Sequence, residues 1–164
     1  MRTIVGVMGG AVVDDNVLED AYDIGRLIAE RGWVLLNGGR NAGVMEASAR
    51  GASEAGGLVV GILPGDTTSG AAASLDIAIP TGMGDARNAI NVLASHVVVA
   101  LPGGSGTVSE VALALKAGRS VVLLGFPLGV PFARYYERGQ LVDASSADEA
   151  VARVESFLAE GGRS

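Results

Sequence analysis

The chain contains no cysteine, which removes disulfide frameworks, thiolate zinc sites and cysteine nucleophiles together. Histidine is almost as scarce. His96 is the single one, and it lies in the strand-like run HVVVAL, where it reads as a structural residue at a strand end. A Ser-His-Asp triad or a His-based metal motif therefore has nothing to draw on, and no metal site is expected. Lysine is reduced to Lys116 in LALKAGRS, near the end of a predicted helix, where a cation suits the exposed carbonyls. No GK[ST] follows a glycine loop, so a Walker-type nucleotide triphosphatase is excluded, and a pyridoxal enzyme would have to use that helix-end lysine.

Basic charge is also in short supply. Twelve Lys and Arg against eighteen Asp and Glu give a net charge of −6, the opposite of what a nucleic acid or an anionic membrane would select. No nucleic-acid or membrane partner is expected. A small anionic ligand held by local donors remains compatible. The longest apolar run, VVLLGFPLGVPF, is short and interrupted by Gly and Pro, and the apolar start TIVGVMGGAVV runs into Asp14 and Asp15 without a cleavage site. A soluble, cytoplasmic protein is the expectation.

What the chain has is apolar residues and glycine. Of its 164 residues 49% are hydrophobic, enough for the core of one domain spanning 1–164, and 25 are glycine. Short β-branched runs alternate with amphipathic stretches, which predicts an α/β fold: a Rossmann-like, open, mostly parallel sheet with helices on both faces. The predicted strands are 3–9, 33–38, 58–64, 76–80, 96–101 and 120–125. Helices are predicted from an Asp15 or Asn16 cap to Arg31-Gly32, over 44–55, over 86–95 with Asp85 as cap, and through VSEVALALKAG. A last helix follows the capping box at Ser146–Glu149. DTTSGAAAS, 66–74, lacks periodicity and reads as a mobile loop, and 126–142 departs from the alternation. Tyr135 and Tyr136 in that segment are either surface aromatics or a platform for a heterocycle.

Glycine clusters follow three predicted strands: VMGGA at 7–11, GGRNAG at 38–43 and PGGSG at 102–106. The turn PTGMGDARN follows a fourth. In a parallel sheet these turns meet at the carboxyl edge, where ligands bind. Each leads towards a helix start, whose free N–H groups attract anions, and glycine lets the backbone approach closely. In PGGSGT, Ser105 and Thr107 add hydroxyls, so the segment has the composition of a phosphate cradle. Thr107-x-x-Glu110 is also a capping box, which would account for Glu110 without chemistry. On the predicted third helix, Ala86, Ile90 and Leu93 would face the core, while Arg87 and Asn91 share another face. Arg87 then sits in a first turn, where the helix dipole disfavours a cation, and this suggests a ligand role. Arg40 is a loop arginine with no assigned task.

PGGSGTVSE resembles the PGGxGTxxE signature of the LOG superfamily, typified by cytokinin riboside 5′-monophosphate phosphoribohydrolases. GGRNAGVMEASARGA, ILPG and TGMGDARN look closer to the branch of the molybdenum cofactor carrier proteins, and the resemblance runs over about residues 3–125. It implies a nucleoside monophosphate with its phosphate on Gly103, Gly104, Ser105, Gly106 and Thr107, and with Gly9, Gly10, Gly39, Asn41 and Gly43 lining the crevice. Arg87 and Glu110 fall on the catalytic pair of the hydrolases, where a carboxylate would stabilise an oxocarbenium-like transition state. Hydrolysis would need no cofactor, whereas a carrier would hold the molybdenum cofactor itself. Two departures bear on turnover. Arg87-Asn88 stands where the hydrolases have an arginine–lysine pair, and Ala11 where they commonly have serine. The first reading is thus a nucleoside monophosphate-binding protein able to cleave the N-glycosidic bond, and the second a carrier of molybdopterin or another phosphorylated heterocycle. The family implies a homodimer or homotetramer. The label lysine decarboxylase, also used for it, is not applied here.

Overall fold

Six apolar runs that read as strands pair as strands; five of them are covered on both faces and need no polar alternation, while the fourth stays largely exposed at the sheet edge. The computed structural model describes residues 1–161. In chain order its elements are β1 (Ile4–Met8), α1 (Asp15–Glu30), β2 (Val34–Asn37), α2 (Gly43–Glu54), β3 (Leu58–Leu63) and β4 (Ile77–Pro80). Then follow α3 (Asn88–Ala94), β5 (Val97–Ala100), α4 (Ser105–Lys116), β6 (Ser120–Leu124), α5 (Ala133–Glu137), β7 (Leu141–Ala144) and α6 (Ala147–Gly161). The strands form one sheet in the order β4-β3-β2-β1-β5-β6-β7, every neighbouring pair parallel. The chain first winds from β1 towards β4 and then resumes on the other side of β1 with β5. The carboxyl ends of β1 and β5 are thus the switch point at which such sheets bind ligands.

Helices α1, α2 and α6 cover one face, burying Ile24, Ile28, Ala47 and Val151 against Val5, Leu35 and Val99. Helices α3, α4 and α5 cover the other, with Val92, Val111, Leu115 and Tyr135 against Met8, Val98 and Leu123. Ile24 and Ile28 are fully buried, each a contribution of roughly 1.5–3 kcal/mol. The α1–α2 contact is unusually close. A Cβ on Gly25 would overlap the Ser48 carbonyl, and one on Gly51 the Tyr22 carbonyl. The small residues of α2 are therefore used inside the chain and are not free to meet a partner.

Several local expectations are corrected. The cap of α1 is Asp14, one residue earlier than read. Seven strands form rather than six, because 126–142 contains the short α5 and the start of β7. Leu141 and Ala144 are buried while Asp143 is exposed, as an edge strand allows, and this mixed pattern hid it. Tyr135 packs in the core under Arg134, the Tyr136 hydroxyl donates to Asp143 Oδ1 at 3.0 Å, and neither ring lines the cleft beside Arg87 and Glu110. Asp85 does not cap α3. It lies in a 3₁₀ turn, Gly84–Arg87, that delays the helix to Asn88. The shift rotates the helix: Leu93 is 57% exposed, while Arg87, Asn88, Asn91 and Val92 are buried. The 66–74 loop, finally, is tied down. The Ala72 amide donates to the Gly39 carbonyl and the Asn41 amide to the Gly70 carbonyl, both at 2.9 Å. Absence of periodicity rules out helix and strand but not main-chain pairing of a loop.

Candidate functional site

The turns after β1 and β5 are joined through one residue. The Gly10 amide donates to the Pro102 carbonyl at 2.9 Å, and the Gly10 carbonyl accepts from the Val44 amide at 3.0 Å. Gly10 thereby fastens the β5–α4 turn and the start of α2 to the end of the central strand. Gly43 makes this approach possible: it has φ +54°, and a side chain there would run into the Gly10 carbonyl. Gly9 is held against Val44 and Gly103 against Thr107, so these positions are glycine because the turns touch.

Gly104 and Gly106 differ. Neither has a positive φ, and a Cβ at either would meet no protein atom within 4 Å. Nothing inside the chain requires glycine at these positions. Both face a cleft that is also lined by Gly9, Gly10, Gly38, Arg40, Asp85, Arg87, Asn88, Thr107 and Glu110. Gly104 precedes α4 without a side-chain cap, so the first-turn N–H groups of a twelve-residue helix open beside it. A backbone free of side chains, at a helix start, in a cleft with two arginines, has the donor set for a phosphate.

Arg87 reaches this cleft from the 3₁₀ turn and is 8% exposed. Its guanidinium lies against Gly38, where any side chain would collide with it, and its Nε is buried without a hydrogen-bond partner. Burial lowers its affinity for the proton, Glu110 opposes that, and Arg40 adds to it. Glu110 is 7% exposed, and its Oε1 accepts from Asn91 Nδ2 at 2.8 Å. Burial pushes its carboxyl above the ordinary range, while the Asn91 bond and Arg87 draw it partly back. Since α4 begins at Ser105, Glu110 stands beyond the first turn and caps nothing, which removes the capping-box explanation for it. The described ion pairs do not include Arg87 with Glu110: the two charges share a cleft without closing on each other.

Of the residues read as site candidates, Arg87, Glu110, Gly104, Gly106, Thr107, Gly9 and Gly10 line this cleft. Gly103 packs behind it, and Ser105 is exposed at the helix start. Gly39 and Gly43 shape turns, and Asn41 lies in a neighbouring groove with Arg40 and Ser69. Gly38, Arg40, Asp85, Asn88 and Met45 also line it, none of them a site candidate from the sequence. Gly38 could have been found from the doubled glycine that ends β2. His96 accepts the Ile4 amide on Nδ1 at 3.0 Å, the strand-end role read for it. Among the described residues no three His, Asp or Glu side chains group as a metal site, and no helix is long and apolar enough to cross a membrane.

The chain is similar over nearly its whole length to solved structures of molybdenum cofactor proteins. The molybdenum cofactor binding protein of Rippkaea orientalis is 46% identical, with a TM-score of 0.90 over 96% of this chain and 98% of its own. The molybdenum cofactor carrier protein of Chlamydomonas reinhardtii is 44% identical, with a TM-score of 0.89 over 97% and 99%. A curated relative, the cytokinin riboside 5′-monophosphate phosphoribohydrolase of Mycobacterium tuberculosis, is 36% identical over 58% of this chain, which spans about half (52%) of that protein. An uncharacterized protein of Archaeoglobus fulgidus is 47% identical over 81% of this chain and 87% of its own length. The model of the SLOG cluster4 family matches residues 2–157, and the chain belongs to that family, within the superfamily whose signature PGGSGTVSE carries.

Proposed function

We propose that the protein binds and carries a phosphorylated heterocycle, the molybdenum cofactor being the foremost candidate, without turning it over. The observation that carries this reading is the whole-chain likeness, at 44–46% identity, to proteins that bind or carry that cofactor, against likeness to a hydrolase over only 58% of the chain. The chemistry of the cleft agrees. Gly104 and Gly106 leave room for a phosphate against the α4 amides, and the unpartnered Nε of Arg87 supplies a charged donor. Glu110, in contrast, has its Oε1 committed to Asn91 Nδ2.

Hydrolysis is the competing reading, favoured by the presence of both Arg87 and Glu110 in one cleft. Two measurements separate them. Protein purified from cells that make the cofactor should release a fluorescent pterin on denaturation and oxidation, and should yield no free base or ribose 5-phosphate from AMP or its analogues. Sustained product formation that disappears in Glu110→Gln would overturn the carrier reading.

The carrier would work as a homodimer or homotetramer. Val60 and Ile62 register with Ile77 and Ile79 on the face of the sheet covered by α3 and α4. Yet Ile77 and Ile79 remain 44% and 42% exposed, and Leu93 on α3, a helix of the same face, is 57% exposed. A second copy of the chain is the occupant proposed for this apolar face.

A further inference from the structure

The cleft that holds Arg87 and Glu110 encloses about 220 Å³, below the roughly 300–1,000 Å³ typical of sites that bury a whole small-molecule ligand. It takes a phosphate and the first atoms attached to it. The rest of a phosphorylated heterocycle has to leave the cleft, and the walls decide where.

Arg40 is the shared wall. It lines the cleft on one side and, on the other, a groove of about 620 Å³ formed with Asn41, Ala42, Pro64, Gly65 and Ser69. The floor of this groove is fixed rather than loose, since the 66–74 loop is bonded to the Gly39–Asn41 turn by the Asn41 and Ala72 amides. Its chemistry suits a planar polar ring. Pro64 offers a flat apolar surface, while Asn41 and Ser69 supply donors and acceptors for ring edges, and Arg40 offers a cation with a planar stacking face. Gly65 keeps the groove open. Its φ is not positive, and a Cβ there would meet nothing closer than the Thr67 main chain at 3.9 Å, so packing does not demand its missing side chain. The groove on the opposite side, reached past Gly104, has Asp14 as its charged group, which would repel an anionic ligand.

Resting on the carrier reading above, we propose that the groove between Arg40 and Gly65 is the heterocycle subsite. The ligand lies with its phosphate at Gly104–Gly106, bends around Arg40, and presents its ring edge to Asn41 and Ser69. These two side chains would then set which heterocycle is accepted.

Calorimetric titration of the full chain with ribose 5-phosphate, AMP and a pterin monophosphate tests this. Ribose 5-phosphate reports the phosphate cradle alone, and the other two report cradle plus subsite. In Gly65→Phe, and in the double variant Asn41→Ala with Ser69→Ala, the two ring-bearing ligands should each weaken by roughly ten-fold or more. Ribose 5-phosphate should stay within about two-fold of the parent. Unchanged ring-ligand affinity in both variants overturns the subsite, as does equal loss of all three ligands in variants whose melting temperature is unaltered. Failure of the parent protein to bind any of the three overturns the carrier reading instead.

Discussion

Glu110 carries the clearest conflict between stability and function in the molecule. Burial raises its carboxyl pKa above the ordinary value of 4.5, even with Asn91 and Arg87 acting in the other direction. The folded state therefore holds this proton more tightly than the unfolded chain does. The stabilisation linked to the proton is complete below the unfolded pKa and is lost as pH rises through the folded one, so at neutral pH the ionised carboxylate costs stability. Glu110→Gln keeps an acceptor oxygen for Asn91 Nδ2 and removes the buried charge. Thermal unfolding at pH 8 should show the variant more stable by about 1 kcal/mol, a Tm gain of a few degrees. That gain should shrink as pH falls below the parent's folded pKa. A variant less stable than the parent at pH 8 would mean that the Arg87–Glu110 attraction outweighs desolvation. Arg87 carries the complementary expectation. Arg87→Ala takes the opposing charge away from buried Glu110 and should therefore lower the Tm at pH 8, while weakening phosphate-bearing ligands by roughly a hundred-fold, as loss of a charge-assisted contact does. Titration beside a melting curve reads both quantities.

At the scale of elements, glycines separate into those that helices and turns need and those that they do not. Gly25 on α1 and Gly51 on α2 each lie on a carbonyl of the opposite helix. Gly25→Ala or Gly51→Ala should force the pair apart and cost roughly 1–3 kcal/mol each, visible in chemical denaturation. Gly106 lies in the first turn of α4 with open space around it. Gly106→Ala should therefore hold or raise stability, by up to about 1 kcal/mol from helix propensity, while weakening ligand binding. Equal binding by this variant would show that the open space is not the ligand's. The same division explains what the sequence made legible. Strands β1, β2, β3, β5 and β6 and helices α1, α2, α4 and α6 could be read because apolar runs and periodic stripes answer to burial, and β4 from its short β-branched run despite its exposure. Helix α3 was turned to the wrong face because its buried side is polar: Arg87, Asn88 and Asn91 point inward to the cleft and to Glu110, against the rule that polar residues face water. Strand β7 escaped notice because an edge strand only half-buries its residues. The turns that build the cleft were legible as glycine clusters, yet which glycine served a neighbour and which left a vacancy depended on contacts between turns far apart in the chain.

For the whole molecule, the two faces of the sheet are unequally covered, and the proposed assembly rests on that inequality. Helices α1, α2 and α6, of 16, 12 and 15 residues, close one face, while the other has the twelve-residue α4 with the seven-residue α3 and the five-residue α5. None of the three lies over the β3–β4 edge well enough to bury Ile77 and Ile79, and Leu93 on α3 and Leu113 on α4 are 57% and 37% exposed. Strand β4 is short and ends in Pro80, which limits open-ended pairing through the strand edge and leaves side-chain packing as the means of association. A self-complementary contact of this face around a two-fold axis would bury the exposed Ile and Leu side chains of both copies, at roughly 25 cal/mol per Å² of apolar surface. Leu93 and Ile79 lie outside the cleft lining, so charging them should leave the fold and the phosphate cradle intact. Light scattering on eluted protein should therefore find the parent chain as a dimer or tetramer, and Leu93→Glu combined with Ile79→Lys as a lower oligomer or monomer with the same helical content. A parent chain that runs as a monomer at micromolar concentration, or a double variant that keeps the parent mass, would show that this face is covered by something other than a second copy.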